Sequence, residues 1–90
     1  MSIETAAFVC SHVFDETRPA LFVSRAEGDW QLLCGGEHEH AEVPRVIGLQ
    51  HLLNRDSTLL ELQDLAPDWE AERTQVGASW HRMRVGSTQQ

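Results

Sequence analysis

Cys10 and His12 are separated by one residue, and Cys34 and His38 by three. Thiolate sulfur and imidazole nitrogen are the donors that tetrahedral zinc prefers. One reading is therefore a zinc site made of Cys10, His12, Cys34 and His38, in which the metal stabilises a small domain. The same residue types also serve nucleophilic catalysis, with either cysteine attacking and His12 or His38 as base. Glu37 or Glu39 would then orient the histidine, and Gly35 and Gly36 would offer amide N–H groups to an oxyanion. The plainer alternative makes both cysteines small buried hydrophobes and His12 a hydrogen-bonded core residue. Against zinc, C-x-H is not one of its usual spacings.

A second group is acidic. The stretch Glu37-His38-Glu39-His40-Ala41-Glu42 sets two imidazoles among three carboxylates, and Asp68, Glu70 and Glu72 follow later in the chain. The first stretch would suit a divalent transition metal or a pH-sensitive contact, but a solvated loop is the favoured reading. The chain carries 14 acidic residues against seven basic ones, all arginine, for a formal charge of −7. Such a surface repels phosphate backbones and argues against nucleic-acid binding. It favours a basic protein partner, met through Glu37, Glu39, Glu42, Asp68, Glu70 and Glu72. Phosphate-binding loops, H-E-x-x-H, G-x-S-x-G and EF-hand patterns are missing, and tyrosine and lysine do not occur.

The elements that must position these groups are short. With 90 residues, 41% of them hydrophobic, the chain suits one thin-cored domain. Residues 6–14 read as a strand in which Phe8, Cys10, His12 and Phe14 share one face. LFVSR and WQLLC flank Glu27-Gly28 as a hairpin, whose register pairs Val23 with Leu32. Val46 and Ile47 suit a short extended piece, and Leu49, Leu52 and Leu53 fit one helix face. Asp56, Ser57 and Thr58 are all competent N-caps for a second helix ending before Pro67, with Thr58 and Glu61 as a capping box. Residues 69–74 and 80–85 read as further strands, with cross-strand Glu–Arg pairs between them. Trp30, Trp69 and Trp80 are expected to serve mainly as core.

The expected architecture is α+β: an antiparallel sheet of four to five strands with one or two short helices from residues 46–65 on one face. Residues 1–85 form the domain and 86–90 a flexible tail. No apolar run approaches the ~18 residues of a membrane span. The start, Met1-Ser2-Ile3-Glu4, lacks the basic region of a secretory signal. A cytoplasmic protein with reduced thiols is expected.

The strings CSHVF, GDWQLLCGGEH, VIGLQHLL and DWEAERTQVGASW, in that order, resemble a family of small uncharacterised bacterial proteins related to immunity proteins of polymorphic toxin systems. The resemblance covers residues 6 to about 82. It implies an α+β domain with an antiparallel sheet and no established reaction. With the acidic surface and the missing catalytic motifs, it favours a non-enzymatic, immunity-like module that binds a protein. The zinc-stabilised domain and a small cysteine-dependent enzyme are the alternatives.

Overall fold

A computed structural model describes residues 5–35 and 44–86. Six strands form one mixed sheet: β1 (Ala6–Val9), β2 (Phe22–Ser24), β3 (Trp30–Leu33), β4 (Arg45–Gly48), β5 (Trp69–Glu72) and β6 (His81–Arg84). Their spatial order is β4-β1-β3-β2-β5-β6. A four-residue helix, α1 (Ser11–Phe14), follows β1. The helix α2 (Leu49–Arg55) and a 3₁₀ helix at Ser57–Leu62 supply the second layer.

Two expectations are corrected. The sheet has six strands, and it is not wholly antiparallel: β1 runs parallel to β3, pairing Ala7 with Trp30 and Val9 with Leu32. The remaining pairings are antiparallel. The parallel pair arises because α1 and β2 intervene between β1 and β3, so β3 returns in the direction of β1. The strand expected over residues 6–14 also stops early. After Val9 the chain coils, and the amides of Phe14 and Asp15 donate to the carbonyls of Cys10 and Ser11 at 2.9 and 2.8 Å. A short run such as SHVF fits either period, and tertiary packing decides it. Val13 is buried on the inner side of this turn.

The hairpin follows its expected register, with Val23 opposite Leu32. Its turn needs left-handed backbone at Glu27 (φ 57°) and Gly28 (φ 86°), which Gly adopts without a Cβ clash. Asp68 Oδ1 accepts the Glu27 amide at 2.8 Å, tying this turn to the start of β5.

Strand alternation sorts the sheet into two faces. Ala7, Val9, Val23, Leu32 and Ala71 are buried on one. Leu52, Leu59, Leu62 and Leu65 of the helical layer join them in one cluster. Burying a Leu or Val fully contributes about 1.5–3 kcal/mol, so these residues carry most of the stability. Phe8, Phe22, Leu33 and Val46 lie on the other face. Phe8 and Val46 are 37% and 58% exposed there.

Polar bonds fasten the helical layer to the sheet. Asp56 caps the 3₁₀ helix by accepting the Thr58 amide at 3.0 Å, and it also accepts the Thr58 hydroxyl. The cap is thus Asp56 alone among the three candidates, in place of the Thr58–Glu61 box. Arg73, just past β5, buries its whole side chain. It donates to Ala20 O (Nη2, 2.9 Å), Thr58 Oγ1 (Nη1, 2.7 Å) and Asp56 Oδ2 (Nη2, 3.0 Å). Its guanidinium sits 4.2 Å from the Trp80 ring centre. Burial alone would raise the Asp56 pKa. The hydrogen bonds from Thr58 and Arg73, with the arginine's charge, outweigh it and hold the carboxyl below its ordinary value of 3.8.

The expected Glu–Arg ladder between β5 and β6 does not form. Their register sets Glu70 opposite Met83 and Glu72 opposite His81, while Arg82 faces Ala71. Arg82 bridges instead to Asp64, at 3.0 Å. All three tryptophans pack partly buried against the core cluster, as expected.

Candidate metal centre

The parallel pairing of β1 and β3 has a geometric result. Parallel neighbours end at the same edge of a sheet, so the residues just past both strands come together. Those residues are Cys10 and Cys34, both 5% exposed. The helical turn that begins at Ser11 adds His12, two residues past Cys10. His12 Nδ1 lies 3.6 Å from Cys34 Sγ. The two sulfurs and an imidazole nitrogen of His12 all lie within 4.8 Å of one another.

The group of Cys10, His12 and Cys34 can therefore hold a metal ion. Bond lengths of about 2.3 Å to sulfur and 2.0–2.1 Å to nitrogen, at a tetrahedral angle, put S and N about 3.6 Å apart. The Cys34–His12 separation meets that spacing without rearrangement. The expectation of convergence came from a strand carrying both Cys10 and His12 on one face. The structure brings Cys10, His12 and Cys34 together by another route, with strand and helix each contributing.

The remaining sequence candidates divide. Glu37, His38, Glu39 and Glu42 lie outside the described residues, as does Gly36, so the fourth zinc ligand and the orienting carboxylates of the enzyme reading fall there. Asp68 is exposed, but it serves the hairpin turn through the Glu27 amide. Glu70 and Glu72 share one face of β5, the face that also carries Phe22 and Met83.

Two arginines escaped the sequence reading. Arg73 follows Trp69 and Ala71 at two-residue spacing, and a cation on that apolar side was a sign of burial. Arg25 pairs with Trp30 in the hairpin register. In the structure its guanidinium lies 4.6 Å from the Trp30 ring centre.

Among the described residues, no helix is long and apolar enough to cross a membrane. A scan against protein-family models found no match, and no curated protein or solved structure proved similar to the chain.

Proposed function

We propose that the protein is a zinc-stabilised small domain in which Cys10, His12 and Cys34 bind the metal at the end of the central strands. The observation that carries this reading is the approach of all three donor atoms to within 4.8 Å. A simple thiol–imidazole hydrogen bond would account for Cys34 and His12 at 3.6 Å. It gives no reason for a second buried sulfur beside them. Zinc would tie β1, α1 and β3 together, and its binding energy would add directly to folding. The sequence assigns the fourth position to His38.

Elemental analysis of protein purified under reducing conditions tests this. About one equivalent of zinc is expected, and less than about 0.2 would sink a structural site, since such sites bind tightly. Cobalt in place of zinc should give thiolate charge-transfer absorption that disappears in Cys10→Ser and weakens in His38→Ala. Rapid alkylation of one thiol in zinc-free protein, with no metal uptake, would favour the cysteine-dependent enzyme instead.

A second reading is recognition of a basic protein partner, immunity-like in kind. It is supported by Glu70 and Glu72 on the sheet face that also presents Phe8, Phe22, Leu33 and Val46. Apolar side chains flanked by one sign of charge suit a protein contact. The product of a neighbouring gene should form a complex whose association slows with salt and with Glu70→Arg. Association indifferent to both counts against this surface.

A further inference from the structure

Between the sheet and the helical layer lies a cavity of about 310 Å³. Its walls are mostly apolar, with Leu32, Leu53 and Leu62 among them, and Trp30 and Arg25 complete one side. Small-molecule pockets are built in this manner, from apolar walls with a few placed polar groups, and start at about 300 Å³.

Arg25 is the unusual member. Its Nη1 donates to Leu65 O at 2.8 Å and its Nη2 to Gly28 O at 3.1 Å. Its Nε is buried and has no acceptor. None of the ion pairs among the described residues includes it. The Trp30 ring, 4.6 Å away, holds the guanidinium in place without supplying a counter-charge. A half-buried cation without an ion-pair partner among the described residues is thus set in the wall of a largely apolar cavity. Buried donors are nearly always paired, and an unpaired one calls for a partner.

We propose that this cavity binds a small apolar carboxylic acid, with its hydrocarbon against Leu32, Leu53 and Leu62 and its carboxylate on Arg25. A single cation, with no second basic side chain in the wall, matches a monoanion. It does not match a phosphate dianion, whose two charges would call for a second cation that the lining lacks. The chain's net charge of −7 repels acids in general, so any acid that binds must be drawn by a local feature. The cavity is independent of Cys10, His12 and Cys34, and the metal reading can fail without touching it.

Octanoate, octan-1-ol and octylammonium are suitable probes, read by nitrogen-15 NMR of the Arg25 Nε–H and the Trp30 indole N–H. Octanoate should shift both signals saturably with one-to-one stoichiometry. Octan-1-ol should bind at least about tenfold more weakly, because it forgoes the charge-assisted bond, and octylammonium should not bind. Arg25→Gln should abolish the preference for the acid. Because Arg25 also braces two backbone carbonyls, Leu53→Trp provides a second variant that keeps the arginine and fills the void. It should abolish octanoate binding while the spectrum stays dispersed. The proposal is overturned by octanoate shifts that do not saturate, by equal affinity for the alcohol, or by saturable binding that survives Leu53→Trp.

Discussion

Arg73 and Asp56 meet at 3.0 Å, with the arginine side chain fully buried and the aspartate about one-fifth exposed. The contact joins the end of β5 to the cap of the 3₁₀ helix, so one ion pair couples the sheet to the layer above it. A buried pair adds little compared with well-packed apolar residues, but losing one partner leaves the other stranded. Arg73→Met should therefore destabilise the fold by about 3 kcal/mol in chemical denaturation. A double-mutant cycle with Asp56→Asn should give a coupling of about 1–3 kcal/mol. Additive effects would show that the pair is not the joint described.

The same pair sets an acid dependence. The folded-state pKa of Asp56 lies below its ordinary value of 3.8. A lowered carboxylate pKa gives stability that is fully present above the unfolded value and is lost as pH falls through the folded one. The gap between wild type and Asp56→Asn should therefore be constant near neutrality. It should close as the solution is taken below the unfolded pKa. Unfolding free energies measured across that acid range check this, and a gap that persists at the acid end would contradict it.

If Cys10, His12 and Cys34 hold zinc as proposed, its removal should act on the fold as a whole. Excess chelator should lower the Tm of wild type and leave Cys10→Ser and Cys34→Ser unchanged. At free zinc about a thousandfold above Kd, the metal contributes about 4 kcal/mol. Metal binding should also release protons as thiols become thiolates, measurable in weakly buffered solution. An equal response of wild type and Cys10→Ser to chelator would place any metal elsewhere.

The two faces of the sheet should respond differently to truncation. Leu62 is 2% exposed in the core cluster, and Leu62→Ala should cost about 2–5 kcal/mol. Val46 is 58% exposed on the outer face, and Val46→Ala should stay within about 0.5 kcal/mol. Similar losses at both positions would mean that the outer face is covered.

The sequence made the local features legible and left the long-range ones hidden. The hairpin register of Val23 with Leu32 follows from a short turn between alternating runs, so nearby residues determine it. The caps at Asp56, the two Leu-rich helical pieces and the apolar role of the tryptophans are local for the same reason. The parallel union of β1 with β3 is different, since nothing in either strand announces its neighbour. The strand reading carried past Cys10 because alternation in CSHVF cannot be told from one helical turn. Cys10, His12 and Cys34 stand out as candidate metal ligands by their chemistry alone. Their convergence rests on a strand order that chemistry alone does not give. Arg73 and Arg25 stand two residues from the buried Ala71 and Val23, so alternation places both on the inward side. Nothing local names the carbonyl and carboxylate that Arg73 meets or the cavity beside Arg25.

β1 precedes both of its sheet neighbours, β3 and β4, in the chain and lies between them. During synthesis it leaves the ribosome before either neighbour, and the second of them is not finished until Gly48 has emerged. Its edge facing β4 stays open for that whole interval, and nascent β-edges are where chains misassociate. Only four residues long and bearing two alanines, β1 offers other chains little to grip while it waits.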